Sequence, residues 1–167
     1  MAPGEVADSH AGATAWEAGG PGSDHGADVV SFTRVSVARH LSAQTPALPF
    51  TTQQLTRLDE ALTFAGRETG VAFSVYLGEL ETDSRAHAEQ MLAGLGANAP
   101  ESVLIAVSPG ARVVELVTGS VVSRRITDRA ARLAVTAMVA SFREGDLAGG
   151  LVSALRMLAD QAGPARR

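Results

Sequence analysis

The chain has 167 residues, of which 46% are hydrophobic and 19% charged, and these proportions fit one globular domain with a substantial core. Its formal net charge is -4 at pH 7, so it has no basic field to neutralise a polyphosphate backbone, and we expect no nucleic-acid partner. It contains no cysteine, which excludes disulfides, thiol nucleophiles and thiolate metal sites.

We expect no secretory targeting signal in the amino-terminal region. No basic segment opens the chain, no apolar signal-type segment precedes Val29, and no run approaches the roughly 18 consecutive apolar residues of a membrane span. We therefore expect a cytoplasmic protein without membrane insertion. Residues 1–28 are rich in Gly, Ala, Ser and Asp without periodicity, which predicts a disordered tail. Residues 29–50 are predicted to form a short strand, at the edge of the sheet, and a linker.

The first half of the folded region reads as helix, strand, helix, strand. Thr51 to Gln54 form a capping box that opens the first helix, and Gly70 is placed to end it. Residues 71–77 are nearly all apolar, which predicts a strand buried on both faces. Asp83 or Ser84 caps a second helix, and residues 103–107 form the next buried strand. This order predicts a βαβ unit with parallel strands and a right-handed crossover.

The second half adds one strand and two helices. Residues 112–118 are predicted to form a strand antiparallel to its predecessor, after a loop of three or four residues. Helices follow at about residues 128–142, with Leu133, Ala137 and Met138 inward, and at about residues 147–161, with four leucines inward. The predicted fold class is α/β: a single domain with a small mixed sheet, a βαβ unit plus an antiparallel hairpin strand, covered by about four helices.

Three segments of this half resemble the core of a TPM domain, the module of thylakoid-lumen, photosystem-repair and receptor-modulator proteins. They are the strand that ends at Gly119, the Thr127-Asp128 helix start, and the passage from Phe142 through Gly145-Asp146 into the last helix. The resemblance covers about residues 51–162, leaves residues 163–167 as a tail, and points to a soluble actinobacterial branch of uncharacterised function. It implies the α/β fold described above.

The first candidate metal site is Asp83, with Glu79 and Glu81 just before it. These acids follow the carboxyl end of the first buried strand, where open α/β sheets bind ligands, and their oxygens suit Ca²⁺ or Mg²⁺. The alternative is a solvated loop in which Asp83 caps the second helix.

The second candidate is Asp128, because the TPM resemblance places an acid there and some TPM proteins bind divalent cations or act as phosphatases. The alternative is a first-turn or capping acid. Typical TPM sequences have Gly-x-Gly after the third strand. This chain has Gly119-Ser120-Val121 there, and the missing second glycine argues against an anion or metal site shared with the family. An antiparallel third strand also places Gly119 at the sheet end opposite Glu79, so we expect Asp83 and Asp128 to be alternatives and not one shared site.

The sequence shows no catalytic or cofactor-binding residues. Its histidines are not placed beside a serine and a carboxylate, and hydrolase, Walker and Rossmann glycine patterns are absent. Arg143, Glu144 and Asp146 have a structural interpretation, with Asp146 capping the last helix and Gly145 taking a positive φ. We expect a non-enzymatic module that binds a protein partner. The alternative is a metal-dependent, phosphatase-like hydrolase.

Overall fold

The computed structural model describes residues 49–166, together with the backbone of Thr14–Ala15 and Asp28–Val30. Helices α1 to α4 span Thr52–Thr69, Ser84–Ala93, Asp128–Arg143 and Leu147–Ala162. Strands β1 and β2 are Thr14–Ala15 and Asp28–Val30, and β3, β4 and β5 are Ala72–Leu77, Ser102–Ser108 and Val113–Thr118. Short 3₁₀ helices cover Gly96–Glu101 and Val122–Arg124.

The sheet has the order β1-β5-β4-β3-β2. Strands β3 and β4 are parallel, with Ala72 opposite Ser102, and β5 runs antiparallel to β4, with Val113 opposite Ser108. The predicted mixed α/β sheet, with its βαβ unit and antiparallel hairpin strand, is confirmed. Four residues, 109–112, join β4 to β5, as expected.

The two edge strands lie in the amino-terminal region. β2 pairs antiparallel with β3 at three positions, which agrees with an edge strand beginning near Val29. β1 pairs with β5 at two positions, inside the segment predicted to be a disordered tail. The rest of that predicted tail, and the linker predicted before residue 49, lie outside the described residues.

The two faces of the sheet are covered unequally. Alternate strand residues such as Val75, Ile105 and Leu116 pack with α1, α3 and α4 into the larger core. The other face has a smaller cluster, in which α2 packs over the following residues: Tyr76, Leu104, Ala106 and Val117. The period of two along each strand places successive side chains on opposite faces, so both faces of β3 and β4 are buried.

Helix α1 begins and ends as its sequence predicts. Thr51 Oγ1 accepts the Gln54 amide at 3.2 Å, and Gln54 Oε1 accepts the Thr51 amide at 2.8 Å, which completes the capping box. Gly70 ends the helix with φ of 72°.

One inward residue of α3 was predicted wrongly. Met138 is buried and Ala137 is partly buried, but Leu133 is 54% exposed. The buried stripe of α3 consists of the following residues: Ala131, Ala134, Val135, Met138, Val139 and Phe142. These side chains recur at helical spacing around a face that does not include position 133.

Candidate functional site

The loop that carries Glu79, Glu81 and Asp83 is held by side chains of the flanking strand β3 and helix α2. The Tyr76 hydroxyl donates to the Glu79 carbonyl at 2.8 Å, and the Glu81 amide donates to His87 Nδ1 at 3.1 Å. Burial, and then the charge of Glu79, raises the pKa of Tyr76. Asp83 Oδ1 accepts the Ala86 amide at 3.0 Å and so caps α2.

Asp128 lies in the first turn of α3, where its charge favours the positive helix end. The cap itself is Thr127, whose side chain accepts the Ala130 amide. Asp128 borders an open depression on α3 whose other described lining residues are Arg129, Arg132, Leu133 and Thr136.

Asp83 and Asp128 lie at opposite ends of the sheet. Asp83 follows β3, whereas Arg125, three residues before Asp128, donates to the Thr69 carbonyl just before β3 begins. A six-residue strand spans about 20 Å. Within the described parts of the chain, no three His, Asp or Glu side chains are grouped so that they could hold a metal ion. A cation site at either acid stays a prediction.

The glycine beside the second candidate has a packing role. A Cβ at Gly119 would lie 2.0 Å from the Ala99 carbonyl oxygen and 2.5 Å from that of Pro100. The Gly119 amide donates to the Ser102 carbonyl at 2.8 Å. The close approach of two backbone segments therefore requires glycine at this position.

The passage between α3 and α4 also has a structural role, as predicted. Asp146 caps α4 by accepting the Gly149 amide at 2.8 Å, and Gly145 has φ of 83°. A Cβ at Gly150 would lie 2.8 Å from the Phe142 ring and 3.0 Å from Ser141 Cβ, so α3 and α4 pack with their backbones close together.

A buried carboxyl group that the sequence analysis did not single out lies on β5. Glu115 is 0% exposed and faces α2. Its Oε1 accepts the Ser84 hydroxyl at 2.5 Å, and its Oε2 has no hydrogen-bond partner. Arg85 Nη1 lies 4.0 Å from Oε2 and donates to the Leu116 carbonyl at 2.9 Å. A glutamate within an otherwise apolar strand was the one available signal.

Burial raises the pKa of Glu115 above its ordinary value, because the charged form loses hydration. The Ser84 hydrogen bond and the Arg85 charge oppose this shift, while Asp83 and Glu89 add to it. The arrangement therefore favours a neutral carboxyl group.

Each helix of the α3–α4 hairpin carries one large exposed apolar side chain. Ser141 of α3 packs against Gly150 of α4. Moving about two helical turns back along α3 reaches Leu133, and moving the same distance forward along α4 reaches Met157. Leu133 is 54% and Met157 38% exposed, and helical spacing predicts that they lie at a similar level along the hairpin.

No helix in the described ranges has the length and apolar character needed to cross a membrane. Among solved structures, the fold is similar to the BA42 protein of Bizionia argentinensis, with a TM-score of 0.63 and 18% identity, covering 71% of this chain and 86% of that one. It is also similar to the N-terminal domain of the cg2496 protein of Corynebacterium glutamicum, with a TM-score of 0.57 and 14% identity, covering 71% and 80% of the two chains. These similarities concern the fold alone.

Relatives found by sequence share a higher identity with this chain than these solved structures do. Uncharacterized proteins of Mycobacterium tuberculosis strains H37Rv and CDC 1551 are each 40% identical to this chain over 116 residues, which cover 70% of the chain and 69% of each relative. Residues 24–159 match a family described as a domain of unknown function, DUF5130. The match spans most of the described fold, and the chain therefore belongs to the DUF5130 family.

Proposed function

We propose that this chain is a non-enzymatic protein-binding module whose docking surface is the outer side of the α3–α4 hairpin. The proposal is supported by the exposure of one large apolar side chain on each helix, Leu133 and Met157, which helical spacing predicts to lie at a similar level. Single exposed apolar residues are ordinary, whereas apolar side chains that share a surface mark a contact site. We further propose that the domain has a TPM-like architecture and that the protein acts in the cytoplasm.

The α3–α4 hairpin is tightly packed beneath this surface. Its inner side is locked by residues that are fully buried, including Met138 and Leu155. The close packing of Gly150 on Ser141 fixes the two helices relative to each other. A partner that binds the outer side therefore meets a preorganised surface and orders few side chains on binding.

The charges around Leu133 and Met157 define the partner's chemistry. Arg129 and Arg132 line the depression beside Leu133, and Arg156 precedes Met157 in α4. These three arginines outnumber the acids in the neighbouring turns, Asp128 and Asp160. The surface suits a partner segment that presents apolar side chains flanked by carboxylates.

The test compares two double variants with equal added charge. Leu133→Glu with Met157→Glu places one carboxylate on each helix of the hairpin. Phe64→Glu with Val121→Glu places two carboxylates on other exposed apolar residues, which are 65% and 45% exposed. Proteins captured from the host extract on wild-type chain are identified, and the purified candidate is titrated calorimetrically against all three chains.

We expect the hairpin variant to weaken binding of the purified partner at least about tenfold, the factor for losing about 1.4 kcal/mol, and the control variant to leave it unchanged. Equal binding by the two variants, or no partner that binds the purified wild-type chain, would refute the proposal. Melting curves check that both variants remain folded. No observation in the described structure favours the phosphatase-like alternative.

A further inference from the structure

Helix α2 is held to the sheet by few buried side chains. Among its residues only Ala88 and Leu92 are buried, whereas α4 buries a row that extends from Ala148 to Ala162. In the described part of the chain, no other helix packs in the cluster on this face. Because the free energy of local opening follows buried apolar contact, α2 should detach more easily than α4.

The first turn of α2 covers Glu115. Ser84, the first residue of the helix, donates the hydrogen bond that Oε1 accepts. Oε2 is buried without a partner, so it recovers a hydrogen bond only if water reaches it. Detachment of α2 would admit that water, and the gain is larger for an ionised carboxylate than for a neutral carboxyl group.

The charges that act on Glu115 come from α2 and from its N-cap residue, Asp83. Asp83 and Glu89 disfavour its ionisation, and Arg85 favours it. Arg85 also forms an ion pair with Glu89 at 2.8 Å, so its charge is shared between two carboxylates. From β4, the residue opposite Glu115 is Ala106, which carries no charge.

We propose that α2 is a pH-linked cover over the apolar cluster of Tyr76, Leu104, Ala106 and Val117, and that ionisation of Glu115 favours its detachment. With α2 closed, the pKa of Glu115 is raised above the ordinary value of 4.5. The free-energy preference for the closed state over the detached state is therefore complete below pH 4.5. It decreases as pH rises through the raised pKa. This inference is independent of the docking surface on α3 and α4.

Amide hydrogen exchange of the full chain, measured residue by residue between about pH 5 and about pH 8 and corrected for intrinsic rates, tests the proposal. We expect the hydrogen-bonded amides of α2 to be less protected than those of α4 at every pH, and their protection to fall as pH rises. Glu115→Gln and Glu115→Met should each slow α2 exchange at the upper pH by about fivefold or more, the factor for about 1 kcal/mol, and remove its pH dependence.

Two further variants keep the result interpretable. Ser84→Ala, at a half-buried position, removes the hydrogen bond to Glu115 and should steepen the pH dependence. Glu60→Gln, at an exposed position of α1 away from Glu115, should retain it. The proposal fails if α2 and α4 exchange together, if α2 protection does not change with pH, or if neither Glu115 variant nor Ser84→Ala alters that dependence.

Discussion

Ser84 Oγ donates to Glu115 Oε1 at 2.5 Å and joins the first residue of α2 to the middle of β5. The bond satisfies one oxygen of a fully buried carboxyl group and leaves the other without a partner. A buried acid of this kind affects the stability of the whole domain as well as the position of α2.

Glu115→Gln should increase the free energy of unfolding at pH 8 by about 1 kcal/mol, because a neutral amide still accepts from Ser84 and removes the buried charge. The pKa of Glu115 is raised in the folded state, so the wild-type chain should lose stability as pH rises from 4.5 through that raised pKa. Urea denaturation at several pH values measures both. A wild-type chain that gains stability over the same window would contradict the assignment of Glu115.

Gly119→Ala should destabilise the domain by about 3 kcal/mol, because the new Cβ would lie 2.0 Å from the Ala99 carbonyl oxygen and neither backbone segment can move freely. The matched control is Gly110→Ala, where a Cβ would meet nothing within 4 Å. Chemical denaturation of both variants gives the difference. Equal stabilities would show that the β5 end is not packed on the 3₁₀ helix as described.

Arg125 joins the carboxyl ends of two helices and should be the most important arginine for stability. It donates to the carbonyls of Thr69 at 2.8 Å, Ala162 at 3.0 Å and Gly163 at 2.8 Å. Arg125→Lys keeps the charge but loses the planar fork, so we expect a loss of about 2 kcal/mol. Arg124→Ala, an exposed neighbour, should change the melting temperature little. A similar effect of the two variants would contradict this role.

Asp83→Asn and Asp128→Asn should each cost at most about 1 kcal/mol, the usual contribution of a cap or first-turn acid. Thermal melting with and without Ca²⁺, Mg²⁺ or Mn²⁺ distinguishes capping from cation binding, because capping alone leaves the wild-type melting temperature unchanged when the cation is added. A rise that disappears in one variant would place a cation site at that residue.

Local patterns made much of this fold predictable. The Thr51–Gln54 capping box, the helix stop at Gly70 and the turn at Gly145-Asp146 each depend on residues a few positions apart, and the structure confirms them. Apolar runs correctly identified the two parallel strands.

Long-range contacts were not predictable in the same way. The Ser84–Glu115 bond joins residues 31 positions apart, and Arg125 reaches Thr69 across 56 positions. Leu133 was assigned inward on one helical face with Ala137 and Met138, but the small residues Ala131 and Ala134 let α3 approach its neighbours on another face. Its exposure became visible only when the packing of α3 was known.

Site-specific photo-crosslinking tests the proposed docking surface most directly. A photoreactive amino acid replaces Leu133, Met157 or, as control, Phe64 in the full chain, and crosslinked products are resolved after irradiation in the host cell. The docking account predicts the same partner band from positions 133 and 157 and its absence from position 64. A partner that crosslinks from position 64 and from neither hairpin position would contradict it.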